Sequence, residues 1–128
     1  MKCRDIYDAA LKLIAELGDD NITADYEERA PYLIAAFCCE AGTSDKEYRR
    51  ANSLDDQPSF NPVNIPLEND FPFDKRFYSA AIQYIASMLI IDENSELSDK
   101  LFERYCDSMS AISLEIPSQT GSILDMYI

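Results

Sequence analysis

The stretch Phe77-Tyr78-Ser79-Ala80-Ala81-Ile82-Gln83-Tyr84-Ile85-Ala86-Ser87-Met88-Leu89-Ile90-Ile91 decides the fold. It contains no charged residue. Phe77, Ala80, Ala81, Tyr84, Ile85, Met88 and Leu89 recur at helical spacing and form one apolar stripe. The opposite side carries Ile82, Ala86 and Ile90, so only Ser79, Gln83 and Ser87 make a polar strip. A helix that is apolar nearly all round is covered on both sides. The reading is a central helix over 75–91, with Asp74 as its N-cap and Phe73 packing on Tyr78 as a hydrophobic staple.

The flanking segments supply the covering. Downstream, Asp92-Glu93-Asn94 makes a turn, and Asn94 or Ser95 caps a helix over 96–114 with the stripe Leu97, Leu101, Phe102, Tyr105, Met109 and Ile112. At the start of the chain, Ile6, Ala10, Leu13, Ile14 and Leu17 predict a helix over 4–17 that ends at Gly18. Thr23 is the expected N-cap of a second helix over 24–41, with the stripe Tyr26, Ala30, Leu33, Ile34, Phe37 and Ala41. Pro31 kinks that helix and Gly42 closes it.

Between the second and third helices the periodicity disappears. Ser44 to Arg50 is charged and suits a short helical turn. Pro58, Pro62, Pro66 and Pro72 then forbid a helix. Val63-Asn64-Ile65-Pro66-Leu67 alternates, as a short edge strand would. Phe60, Ile65, Leu67, Phe71 and Phe73 give this long loop too much apolar character for a plain linker. The expected fold is all-α: a small four-helix domain over 1–116, with a long proline-rich loop over 43–73 that includes a possible short β segment. A C-terminal tail over 117–128 follows.

Length and charge bound the function. The chain has 128 residues, 24 acids, 11 bases and no histidine, for a formal net charge of −13. Scaling laws give roughly 21,000 Å² of surface unfolded and roughly 7,000 Å² folded, enough burial for a core without metal or disulfides. Without histidine there is no Ser-His-Asp triad, no Cys-His dyad and no Cys/His zinc finger. The charge argues against binding by phosphate neutralisation.

No glycine-rich phosphate loop is present, and there are only three glycines. The acid pairs Asp19/Asp20, Asp55/Asp56 and Asp92/Glu93 fall in turns and read as solvated. Cys38 and Cys39 lack a histidine base and read, with Cys3 and Cys106, as reduced thiols that mostly pack. Tyr26, Tyr84 and Tyr105 read as core residues. Lys46, Arg49 and Arg50 form one small basic cluster and Lys75 and Arg76 another; both read as solvated or locally paired. No catalytic residue, cofactor or metal site is expected. Neither a signal peptide nor a membrane span is expected, and the protein should be soluble.

Two apolar surfaces exceed what one small bundle needs: Ile82, Ala86 and Ile90 on the central helix, and Ile123, Leu124, Met126, Tyr127 and Ile128 in the tail. These are the expected contacts with a second copy or a partner; the alternatives are a central helix covered wholly within its own domain and a tail that docks back on its own bundle.

The run Asp25-Tyr26-Glu27-Glu28-Arg29-Ala30-Pro31-Tyr32-Leu33-Ile34 resembles the second helix of the tailed-bacteriophage head–tail connector (head-completion, adaptor) family. The later order is similar too. Ile65-Pro66-Leu67-Glu68-Asn69-Asp70-Phe71-Pro72 leads into the helix Tyr78 to Ala86, followed by an acidic turn and a helix with Phe102-Glu103-Arg104-Tyr105. Asp125-Met126-Tyr127 also matches. The long proline-laden loop and the few basic residues depart from the pattern. The resemblance implies a non-enzymatic structural protein of the virion neck, assembled in the bacterial host cytoplasm. It implies a cyclic homo-oligomer, a ring of twelve subunits, between the portal protein and the next neck or tail protein. DNA would pass through its channel without sequence-specific binding. Two other classes stay open: an acidic, DNA-mimic inhibitor of a host nucleic-acid enzyme, and an enzyme using carboxylates and a metal.

Overall fold

The structure is a computed structural model and describes residues 1–17 and 25–116. The central helix, α3 (Tyr78–Ile90), is touched by three others: α1 (Cys3–Glu16), α2 (Asp25–Ala51) and α4 (Ser95–Ser113). The fold is all-α. Among the described residues there is no strand, only one isolated antiparallel bridge between Lys2 and Asp70. The expected edge strand over Val63–Leu67 does not form, because its backbone groups are used on helices instead. The N–H of Ile65 bonds the carbonyl of Pro31 in α2 at 3.1 Å, and the carbonyl of Leu67 receives the N–H of Arg4 in α1 at 2.9 Å.

Both sides of α3 are covered, as its composition requires. Ala80, Ala81, Tyr84, Ile85, Ala86, Leu89 and Ile90 are all buried. So is Ser87, whose hydroxyl donates to the Ser98 carbonyl at 2.9 Å while the Ser98 hydroxyl donates to the Ser87 carbonyl at 2.9 Å. This reciprocal pair satisfies the buried hydroxyls and ties α3 to α4, where small side chains let the helices approach. Asn94 caps α4, its side-chain oxygen accepting from Leu97 N–H at 3.1 Å. A 3-10 turn (Lys75–Phe77) precedes α3, and the Asp74 carboxylate accepts from Arg76 N–H at 2.9 Å. The staple forms one residue earlier than expected, with the rings of Phe73 and Phe77 5.8 Å apart. At the other end of α3, the Arg29 guanidinium donates to the carbonyls of Met88 (2.9 Å) and Leu89 (3.4 Å), which no longer have helical partners.

The largest departure from the sequence expectation is α2. It does not close at Gly42 but continues through the charged segment to Ala51. A mid-helix glycine costs about 1 kcal/mol relative to alanine. The extra turns offset that cost with new tertiary contacts: Tyr48 packs edge-on against Phe77 at 5.9 Å, and Asp45 is fully buried. Arg49 and Arg50 in the last turn suit the negative end of the helix dipole. The helix stops where Ser53 adopts the left-handed conformation (φ 56°), with Leu54 N–H on the Arg49 carbonyl at 2.9 Å. The loop is therefore shorter than expected, running from 52 to 74. The predicted ends at Gly18 and Thr23 lie outside the described residues.

That loop is a wall of the core. Ile65, Leu67, Phe71 and Phe73 are buried. Phe37 of α2 sits among Phe71, Phe73, Tyr84 and Tyr105, with ring centroids 5.7–6.2 Å away. Such ring contacts add about 0.5–1.5 kcal/mol each beyond their burial.

Candidate functional site

The loop is held by polar groups that converge on one buried carboxylate. Asp45 continues the inward face of α2 and has no exposed surface. One carboxylate oxygen accepts from Arg49 Nε at 2.8 Å and from the Gln57 side-chain amide at 2.9 Å. The other accepts from the backbone N–H of Asp74 at 2.9 Å. Arg49 then reaches both ends of the loop, donating to the carbonyls of Asp55 (3.0 Å) and Pro72 (3.1 Å). Gln57 also donates to the Gly42 carbonyl at 3.0 Å. Three donors satisfy the buried charge, and one guanidinium clamps the loop's two ends. Loss of one partner from such a pair costs about 3–5 kcal/mol.

A second seam joins the loop to α1. The first turn of a helix has N–H groups without helical partners. Here the loop supplies them: Cys3 N–H bonds the Asn69 carbonyl and Arg4 N–H the Leu67 carbonyl, each at 2.9 Å. The Arg4 guanidinium pairs with Glu27 and Glu68, both at 2.7 Å, linking α1, α2 and the loop at the surface.

Among the described residues this packing leaves several concave surfaces. A cleft of about 510 Å³ lies between the loop and the N-terminus, with Phe60 and Ile65 in its wall and Lys2, Glu68 and Asp70 on its rim. A groove of about 420 Å³ between α1 and α3 is floored by Ala9, Leu13 and Ile82. A groove of about 390 Å³ between α3 and α4 is formed by Met88, Ile91 and Phe102, with Asp99 and Glu103 beside them.

The expected contact residues of the central helix separate. Ile82 is half-buried on the α1/α3 groove. Ala86 and Ile90 are fully buried within the domain. This corrects their assignment to an outer interface: the helices flanking α3 cover the second apolar side, so no partner is needed to explain it. Ile123, Leu124, Met126, Tyr127 and Ile128 lie outside the described residues. Phe102, on the expected stripe of the fourth helix, is half-buried, and Ile91, at the expected end of the central helix, is exposed; both offer apolar surface.

The basic cluster at Lys46, Arg49 and Arg50 is not one patch. Arg49 is turned inward on Asp45, while Lys46 and Arg50 are exposed. Arg76 pairs with Glu115 at 2.8 Å. All four cysteines are free; Cys3 and Cys38 are buried, Cys39 and Cys106 exposed. Burial pushes the Cys38 thiol up, and burial with Asp70 nearby raises Cys3 to about 11. Exposed Cys39 donates its thiol to the Pro62 carbonyl at 3.3 Å, another tie to the loop. Tyr84 and Tyr105 are buried core residues, as expected, and burial raises Tyr105 to about 12. Tyr26 is buried as well, with its hydroxyl donating to the Glu93 carboxylate. Apart from Asp45, every described acid is exposed or half-buried. Among the described residues no three histidine, cysteine or acidic side chains group as a metal set, and no helix is long and apolar enough to cross a membrane. Comparison of the chain with protein-family models, curated proteins and solved structures gives no match.

Proposed function

We propose that this chain is a structural subunit of a tailed-phage neck, forming a ring between portal and tail that extends the DNA channel. The observation that carries the reading is the order of its quoted motifs on the helical frame. Asp25 to Ile34 lies on α2, the proline-rich Ile65 to Pro72 leads into α3, and Phe102 to Tyr105 lies on α4. An acidic outer surface around an apolar interior also suits a channel that DNA passes without adhering, because like charges repel. In this reading Ile82 and the tail residues Ile123, Leu124, Met126, Tyr127 and Ile128 are surfaces offered to neighbouring subunits. The partners are further copies of the chain, the portal protein and the next neck or tail protein.

The test is to mix the purified protein with its cognate portal and examine the mixture by analytical ultracentrifugation and negative-stain microscopy. Co-sedimentation with a ring added to the portal is expected. Absence of any complex contradicts the reading. A salt-sensitive complex with a basic host protein, displaced by DNA, would instead favour the DNA-mimic class that the net charge of −13 raises.

A further inference from the structure

We propose that the groove between α3 and α4 is a docking site for a basic amphipathic helix of a different protein. The proposal does not rest on the neck reading. It follows from the groove's floor, its rim and the placement of every base in the chain.

The groove holds about 390 Å³ and joins an apolar floor to an acidic rim. Met88 and Phe102 are half-buried and Ile91 is exposed, so three large apolar side chains from two helices meet at one opening. Ser87 and Ser98 complete the floor. Each hydroxyl already donates to the other residue's carbonyl, at 2.9 Å in both directions. An apolar side chain laid over them therefore strands no donor or acceptor.

Asp99 and Glu103 form the rim, exposed and one helical turn apart. Neither makes an ion pair among the described residues. Asp92, directly after Ile91, adds another exposed acid. The base that reaches this end of α3 is Arg29, which is committed to the Met88 and Leu89 carbonyls and to Asp25 at 3.8 Å. Lys100 and Arg104 follow the two rim acids in sequence, each turned about 100° further round α4. Neither lines the groove.

Charge then decides the occupant. All eleven bases lie among the described residues, and residues 18–24 and 117–128 hold three acids and no base. Lys2, Arg4, Arg29, Arg49 and Arg76 are spent on ion pairs. The other six have acids beside them. Lys12 lies one turn from both Asp8 and Glu16, and Lys75 follows Asp74. Lys46 and Arg50 share a depression with Asp56 and flank Glu47. Lys100 and Arg104 lie amid Glu96, Glu103 and Asp107. A second copy thus offers no basic face, and the net charge of −13 sets copies against each other. A foreign helix with one or two apolar anchors, and Lys or Arg one turn apart beside them, matches floor and rim together.

The probe is a fluorescein-labelled helical peptide with leucines at i, i+3 and i+4 and lysines one turn apart on either flank. Two companion peptides replace the leucines with serine or the lysines with glutamate. Each is titrated at low salt into the full chain with methyl-labelled isoleucine and methionine. The leucine–lysine peptide should bind and shift the Ile91 and Met88 methyls, leaving Ile82 and buried Ile90 unmoved. Both companions should bind at least about tenfold more weakly. Ile91→Gln, at an exposed position, should weaken binding about tenfold. Asp99→Asn combined with Glu103→Gln should weaken it about fivefold. Asp55→Asn combined with Asp56→Asn removes the same charge elsewhere and should leave binding unchanged. No binding, tight binding of the serine peptide, an equal loss with the Asp55 and Asp56 variant, or shifts centred away from Ile91 and Met88 would overturn the proposal. So would self-association of the unmodified chain that Ile91→Gln abolishes, which makes a second copy the occupant.

Discussion

Two parts of this molecule bury aromatic and aliphatic side chains equally well but by different means. The α3/α4 hairpin does so by pattern: a charge-free helix lies against a striped one, with a short capped turn between them and one reciprocal serine pair. The 52–74 loop has no repeating backbone pattern. Phe71 and Phe73 reach the same core because Asp45 and Arg49 hold the loop's ends and α1's first turn binds its carbonyls. Regular structure carries its own hydrogen bonds, whereas an irregular segment must borrow partners from its neighbours. The hairpin should therefore lose stability in small steps, and the loop through a few large ones.

The largest test of that contrast is Asp45→Ala. It leaves Arg49 and Asp74 N–H without their acceptor and should cost about 3–5 kcal/mol in urea unfolding. Amides of the loop should lose protection before those of α3 and α4. A cost below 1 kcal/mol would dissolve the contrast.

Alkaline pH should separate the two regions next. Cys3, under the loop, ionises at about 11 in the folded protein against an ordinary value of 9.0. The folded state thus favours the neutral thiol. Its contribution is fully present below pH 9 and is lost as pH rises toward 11; by pH 10 the loss is about 1 kcal/mol. Tyr105 in the hairpin, raised from 10.0 to about 12, weakens its side a unit later. Denaturation midpoints between pH 7 and 11, read by loop-side and hairpin-side probes, check the order.

On the hairpin side, Ser87→Ala should cost about 1 kcal/mol, since Ser98 keeps its bond to the residue 87 carbonyl. Chemical denaturation of the single variant measures it. The smallest effects should be gains at the end of α2. An added Cβ at Gly42 meets nothing within 4 Å, so Gly42→Ala should stabilise by about 0.5–1 kcal/mol. Ser53→Gly, which relieves a left-handed serine, should give a similar or smaller gain. Thermal unfolding of both variants checks the sign.

The hairpin was legible in the sequence because the helical period of α3 and α4 is also their packing rule. Asn94 and Asp74 cap as their residue types predict. The second half of α2 was hidden by Gly42 and by the charge of Ser44 to Arg50. The available signal was phase: Phe37, Ala41, Asp45 and Tyr48 continue the stripe at helical spacing, with Asp45 standing where an apolar residue belongs. A carboxylate on an apolar stripe, followed four residues later by arginine, indicates a buried pair. The pairing of Asp45 with Gln57 and Asp74 depends on the loop's path, which no local pattern contains. The burial of Ala86 and Ile90 was illegible for a related reason: their own composition says that they are covered, not by which helix.

Hydrogen exchange on the unmodified protein, resolved residue by residue, tests the central claim that the loop is a structural wall. The amides of Cys3, Arg4, Ile65, Phe71 and Asp74 all donate across the loop's seams. The account predicts that they exchange as slowly as the amides of α3, through the same cooperative opening. Exchange of these amides at the rate of exposed Asp55 and Asp56, while α3 stays protected, would contradict it.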